Sequence, residues 1–527
     1  MLASFSVLML QVTIIRLLSV VLWYHWAFLS ISLAMLGVGV PGVWFTLRPV
    51  RRGLVEHLLV AAGMLVPAAI LAIIRLSHHF GEYRALFCVV CILPPMLALG
   101  GVVCLLLLEA RGRQVSIIYG FDLMGACLGA LLVIPAMHWF PTPQLAAGIG
   151  FVALAAAWLR RRHRGKRQLP WFALTVAGVI VAILVWRTPF EIRHSKNYDE
   201  AQLKLAYERW TPTARLTFFE GIFWRGDHAE GFGWGMGTRA PKTRVKQYWM
   251  EQDGSAGTPI MYFDGELDGL EFLLFDVTTL GYQLISPKRV AIVGAGGGRD
   301  ILSAKLSGAT EIDAIEINGG LVDVMSGYFK EFSGDVYHLE GVRPIVSEGR
   351  SYLRRSEGRY DMIQISLIDS WAATAAGAFA LSENNLYTLE AYQLYLSRLR
   401  EGGVVSTSRW IRGDLGFEIP RLVALIKTAL RSRGVTDPNA HLMIVEAGGV
   451  GTVLAGNEPF TAEQIDELGD IVRRRGLRAI YPKLKRQLSR RLGDGARLRV
   501  PTKVHARIGE ASKEQDGRSS TGVKHVP

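Results

Sequence analysis

At 527 residues, half of them hydrophobic, with a mean hydropathy of +0.24 and a formal charge of +13, the chain is too apolar for a single soluble domain. The apolar content is concentrated before residue 187, which predicts a membrane half followed by a soluble half. All four cysteines (Cys88, Cys91, Cys104, Cys127) fall in apolar segments, a pattern that gives neither a disulfide framework nor a zinc site.

In chain order, candidate membrane spans run at about 4–24, 27–46, 54–74, 85–108, 115–138, 143–159 and 170–186. Several reach the roughly 20 apolar residues that cross a bilayer. The first has no small-residue cleavage site and more spans follow it, so it reads as a membrane helix and not a signal peptide. Basic residues gather at Arg48, Arg51 and Arg52, at Arg111 and Arg113, and in RRRHRGKR (160–167). These loops fall on one side, which should be cytoplasmic. Arg16 and Asp122 are charges inside apolar spans, and the expectation is that they pair and hold two helices together. Gly125 and Gly129 have the small-xxx-small spacing of closely packed membrane helices.

The domain boundaries expected are 1–187 for a multi-pass membrane region, 188–285 for a small antiparallel β domain, 286–482 for a Rossmann-like domain and 483–527 for a basic disordered tail. In the second, RLTFFEGIFW, RVKQYWMEQ and PIMYFDGEL are strand-like and separated by turn residues. In the third, Arg289 to Asn318 reads RVAIVGAGGGRDILSAKLSGATEIDAIEIN. An apolar strand runs into Gly294, Gly296, Gly297 and Gly298, a helix follows, and a second strand ends on Glu316. This is half of a nucleotide-binding βαβ unit, with Glu316 placed to accept from both ribose hydroxyls. Arg299 stands where the dinucleotide fingerprint wants glycine, so the strict nicotinamide pattern fails. Beyond it come a helix near 320–332, strands at 343–347, 360–366 and 403–409, helices at 388–400 and around 418–432, strands at 441–447 and 451–456, and a helix near 461–475. Strands alternating with helices predict an α/β fold. The tail carries twelve Lys or Arg against four Asp or Glu, suited to anionic lipid headgroups and without the aromatic interleaving of a nucleic-acid binder.

Residues 244–412 resemble the spermidine synthase (polyamine aminopropyltransferase) family, in its bacterial membrane-fused branch. The resemblance lies in MYFDGELDGLEF, RVAIVGAGGGRD, DAIEIN, SEGRSYL, YDMIQISLIDS and LYTLEAYQLYLSRLREGGVVS, and in the membrane half in LQVTIIRLLS and YGFDLMGACLGA. It implies a class I methyltransferase-like fold that takes S-adenosylmethionine or its decarboxylated form as co-substrate, with no metal. Gly294, Gly296 and Gly298 match the cofactor turn and Glu316 the ribose acid. Glu348, followed by Gly349, stands at the family's adenine-side aspartate. The acid of the family's glycine turn is Gly297 here, with Asp300 close by in sequence. The aspartate that helps deprotonate the amine falls on Ser366, and the second acid of that loop on Asp369. The residues that hold the diamine upstream fall near Phe275 and Val277. Ser366 and Asp369 are thus the catalytic candidates, with Asp264, Glu266 or Asp268 helping to bind a cation. A methyltransferase on a lipophilic acceptor, and a non-catalytic adenosyl-binding module, are the alternatives. The expected partners are a small acceptor such as a polyamine, membrane lipid and a second copy of the chain, not nucleic acid. Because adenosyl compounds are cytoplasmic, 170–186 is read as non-crossing, which puts the soluble half inside a bacterial inner membrane.

Overall fold

The computed structural model describes residues 1–23, 26, 29–48, 53–163, 190–196, 199–221, 230–368, 385–411 and 417–482. The expected span at 170–186, the candidate Asp369 and the basic tail lie outside the described residues.

Six helices form the N-terminal bundle: α1 (Leu2–Val21), α2 (Leu29–Leu47), α3 (Leu54–Leu76), α4 (Arg84–Glu109), α5 (Arg113–Trp139) and α6 (Thr142–His163). A short 3-10 turn joins α3 to α4, so five stretches are long and apolar enough to cross a membrane. Glycine sets how closely α5 meets α1. A Cβ on Gly125 would stand 2.1 Å from the Met1 carbonyl oxygen, and one on Gly129 2.6 Å from that of Phe5. The outer faces of α2 and α5 stay apolar and uncovered: Met35 is 72% exposed, Leu131 64% and Trp139 79%.

Arg16 does not pair with Asp122. The two lie at opposite ends of α1, where Asp122 accepts a hydrogen bond from the Ser4 hydroxyl and Arg16 reaches Asp253 in the soluble half, Nη2 to Oδ2 2.6 Å. Both side chains of the Arg16–Asp253 pair are fully buried. The same end of the bundle holds further contacts to the soluble half. Lys196 N–H donates to the Val20 carbonyl at 3.0 Å, and Arg84 donates to the His194 carbonyl at 2.8 Å.

At the other end Arg160 meets Glu109 at 3.0 Å and Glu56 at 3.9 Å. Helix α3 runs from Glu56 to the turn at Ser77 beside Arg84, about 30 Å at 1.5 Å per residue. His163 and Phe190 therefore lie at opposite ends of the bundle. Among the described residues, Arg160 and the α/β half lie at opposite ends of the bundle, because the six described helices alternate in direction and α6 ends at the arginine end.

The soluble half begins with an antiparallel sheet in the order β1 (Leu205–Trp210), β2 (Arg215–Glu220), β3 (Gln247–Gln252), β4 (Ala256–Met261). Asp253 and Gly254 form the β3–β4 turn with φ of 51° and 68°, the paired positive values of an Asp-Gly hairpin. The second sheet has eight strands: β5 (Arg289–Val293), β6 (Glu311–Glu316), β7 (Val342–Val346), β8 (Tyr360–Ser366), β9 (Leu399–Trp410), β10 (Leu442–Ala447), β11 (Val450–Gly456) and β12 (Arg478–Tyr481). Their order is β12-β10-β11-β9-β8-β5-β6-β7. Strands β7, β6, β5, β8 and β9 run parallel, and β11, β10 and β12 close the sheet antiparallel.

Helices α7 (Leu280–Ile285), α8 (Arg299–Leu306), α9 (Gly319–Ser326), α10 (Gly349–Arg355), α11 (Leu389–Ser397), α12 (Glu418–Ser432) and α13 (Ala462–Arg475) complete this half. The chain is thus a helical region followed by an α/β fold of methyltransferase-like strand order. Chain order reverses between β5 and β8, and a crevice opens at the carboxyl ends of such a pair. Strand β1 and helix α7 were not anticipated from the sequence, and two further elements differ from expectation. Helix α9 stops at Ser326, where Gly327 leaves helical geometry at ψ −90°, and β12 is an unanticipated four-residue edge strand.

Candidate functional site

Strand β5 is buried over Val290 to Val293 and delivers the chain to a turn in which Gly294, Gly296 and Gly298 have φ of +79°, +54° and +84°. These values strain any residue with a side chain. Space is also limiting: a Cβ on Gly294 would lie 2.4 Å from Ile368 Cγ2, and one on Gly297 2.6 Å from the Pro259 carbonyl of β4. The turn is therefore roofed by the small sheet, whose Thr258 and Gln252 face the same cleft.

Glu316, at the end of β6, is 4% exposed. Its Oε2 accepts from Gly296 N–H at 3.1 Å and its Oε1 from Asn318 N–H at 2.9 Å. Burial pushes its carboxyl above the usual range, and those backbone donors offset the push only in part. One backbone donor per oxygen fixes the carboxylate and leaves further acceptor capacity on each. Glu348 caps α10, accepting from Arg350 N–H at 2.8 Å and Ser351 N–H at 2.7 Å. Gly349 is buried because a Cβ there would stand 2.5 Å from Val293 Cγ1.

Asp300 lies in the first turn of α8 and accepts a hydrogen bond from the Ser366 hydroxyl at the tip of β8. Next to it, Arg299 pairs with the fully buried Asp276 at 2.7 Å and approaches Asp300 at 3.6 Å. Thr278, from its backbone N–H and its hydroxyl, and the Gly235 N–H hold Asp276 in place.

Arg299, Asp300, Glu316, Glu348 and Ser366 line one cleft. The structure brings seven of the expected residues together there: Gly294, Gly296, Asp300, Glu316, Glu348, Gly349 and Ser366. Gly298 does not line it; its φ serves the start of α8, and a Cβ there would meet Val336 Cγ1 at 2.6 Å. Phe275 lies under the Arg475 guanidinium and Val277 is buried, and neither lines the cleft. Asp264, Glu266 and Asp268 are exposed in a turn that Asp264 closes by accepting from Glu266 N–H, and they are outside the cleft too.

Sequence reasoning missed Arg299 as a partner for buried acids, Asp276 as its counter-charge and Trp234 as a wall. The charged Arg-Asp dipeptide entering a helix just after the glycines was the available signal for the first. Trp234 gave only a glycine-flanked aromatic; it stands at 62° to Trp249, ring centroids 5.7 Å apart.

Residues 275–411 match the family model for the spermine/spermidine synthase domain. Among curated proteins, a polyamine aminopropyltransferase of Korarchaeum cryptofilum is 23% identical over 125 residues, 24% of this chain and 36% of the relative. Polyamine aminopropyltransferase 2 of Pseudomonas aeruginosa is 31% identical over 124 residues, 23% of this chain and 33% of the relative. The chain spans less than half the length of the curated relatives it matches. Among solved structures, a spermidine synthase in complex with the transition state analogue AdoDATO is 18% identical, covers 53% of this chain and 79% of its own, and has a TM-score of 0.33. The spermidine synthase from Thermotoga maritima is 20% identical, with 50% and 75% covered and a TM-score of 0.32. Residues 275–411, the stretch that builds the glycine turn, Glu316, Glu348 and Ser366, are thus the part of the chain that is similar to the spermine/spermidine synthase domain.

Proposed function

We propose that the soluble half is a transferase that moves an aminopropyl group from decarboxylated S-adenosylmethionine to a small amine beside a membrane. The contact of Glu316 with the Gly296 N–H, at the strand-order reversal and inside the synthase-like stretch, carries this reading. A carboxylate steered by backbone donors offers its remaining lone pairs to a ribose diol, and the glycine turn lets the nucleoside approach the main chain. Glu348, just beyond the neighbouring strand β7, is read as the group facing the base. Among the described residues the cleft holds three carboxylates, on Asp300, Glu316 and Glu348, against the single guanidinium of Arg299. That balance suits a donor with a sulfonium and an ammonium but no carboxylate, and an acceptor that arrives as a cation.

The bundle suits a bilayer. Its outward faces are apolar, and exposed Trp44 and Trp139 mark its two ends as interfacial tryptophans do. The positive-inside rule puts the arginine end in the cytoplasm, whereas a cytoplasmic adenosyl donor calls for the α/β half there, so the orientation in the membrane is a direct test of this reading.

The test uses purified full-length protein with decarboxylated S-adenosylmethionine or S-adenosylmethionine and a panel of amines, with products read by mass spectrometry. The expected result is an amine heavier by one aminopropyl group together with methylthioadenosine. A methylated product, or no product from either donor, would overturn the reading.

A further inference from the structure

Resting on the transferase reading, we propose that Asp300 is the proton acceptor for the attacking amine, working against the Ser366 hydroxyl. The chemistry requires an acceptor, since a primary amine is protonated at neutral pH (reference pKa about 10.4 for a lysine-like group) and an ammonium has no lone pair. Three described carboxylates face the cleft, and their partners separate them. Glu316 and Glu348 have each oxygen committed to a backbone N–H. They are anchored orienting groups. Asp300 instead takes its hydrogen bond from a side-chain hydroxyl, which can turn and pass a proton on. It is 6% exposed yet lines the cleft.

Ser366 has no basic group of its own, and it stands at the strand tip where the sequence resemblance expected a carboxylate. Asp300 brings one to that hydroxyl from the neighbouring helix. The carboxylate has changed element while keeping its place at the strand-order reversal.

Groups from every packed element bear on Asp300. Arg299 is on its own helix, Asp276 precedes the 3-10 turn at Val277–Thr279, Tyr282 is on α7, and Gln364 and Ser366 are on β8. Burial raises the Asp300 carboxyl above the usual range, while Arg299, Ser366 and Gln364 pull it back. Tyr282 is pushed well above its ordinary value and stays neutral. A base raised toward neutrality is better matched to the proton it removes.

The step balances as follows. The ammonium gives one proton to the Asp300 carboxylate, directly or through the Ser366 hydroxyl. The freed nitrogen lone pair forms the C–N bond to the aminopropyl carbon next to sulfur. The C–S bond electrons return to the sulfonium, methylthioadenosine leaves as a neutral thioether, and the product departs as a secondary ammonium. Asp300 then releases its proton to solvent.

The test compares the wild type, D300N, D300N/S366D and D369N in full-length protein, with decarboxylated S-adenosylmethionine and short diamines. It measures kcat against pH and, by calorimetry, methylthioadenosine affinity. D300N should lose about 100-fold or more in kcat. It should keep methylthioadenosine affinity and lose the acidic limb of its pH profile. D300N/S366D, which returns the carboxylate to the strand tip, should recover at least about tenfold of that loss, a rescue that a merely structural Asp300 would not show. A D300N kcat within about threefold of wild type, or an acidic limb that disappears in D369N and not in D300N, would overturn the assignment. If the wild type binds methylthioadenosine but transfers nothing to any amine, the transferase reading is what has failed, and the assignment falls with it.

Discussion

Glu316 shows how one side chain can be both an anchor and a liability. Its oxygens orient the glycine turn and the next helix, yet burial raises its carboxyl above the usual range. A folded-state pKa above the unfolded one means that the folded chain holds the proton more tightly. The associated stability is fully present below the unfolded value, about pH 4 for a glutamate, and is lost as pH rises through the raised folded value. Glu316→Gln, whose amide nitrogen would face the N–H of Gly296 or of Asn318, should therefore flatten this pH dependence without raising the thermal midpoint at neutral pH. Glu316→Ala should abolish adenosyl binding by calorimetry, a loss of about 100-fold for two hydrogen bonds to a charged acceptor. Unchanged affinity would remove Glu316 from the site. The sequence announced this residue because strand, glycine turn, helix and strand are consecutive, so the acid's place follows from counting. It could not announce the Asp300–Ser366 contact, which joins residues 66 apart through the packing of a helix on a sheet.

Among elements, buried parallel strands were the most legible. Val290–Val293, Ile312–Ile315 and the run at 360–366 are apolar because both faces of the sheet are covered. Strand β12 was not, since four residues at an edge carry no periodicity. The long apolar helices were legible by length, but the partner of Arg16 was not. Asp253 sits in a hairpin turn that reads as a solvated loop, and its burial depends on α1 docking against it. There it accepts from Arg16 and from the Arg215 N–H, while burial lowers Lys196 alongside to about 8. Removing one partner of a buried pair leaves an uncompensated charge, at a cost of about 3–5 kcal/mol. Arg16→Met should accordingly lower the unfolding temperature in detergent. Adding Asp253→Asn, which keeps a residue tolerant of positive φ, should restore much of it. If Arg16→Met melts like the wild type, the pair does not join helix to hairpin.

Among the described residues, the ion pairs of Arg160 lie at one end of the bundle and the α/β half at the other. That division was not legible, because counting spans leaves 170–186 undecided, whereas the ion pairs of Arg160 and the contacts of Lys196 fix the two ends. Single cysteines introduced at exposed Lys242 and at Arg111, in a cysteine-free background, can be probed in intact cells with a membrane-impermeant maleimide. Labelling is expected at position 242 and not at 111. The reverse pattern would place the α/β half with the cytoplasm.

The Arg16–Asp253 contact has a mechanical corollary. Gln252, the residue before Asp253, forms part of the cleft wall and receives a hydrogen bond from Asn318, two positions beyond Glu316. Helix α1 is thereby tied, through one guanidinium, to the rim of the cleft. Any tilt of α1 therefore levers that rim against Glu316, so the width of the cleft follows the set of the first helix.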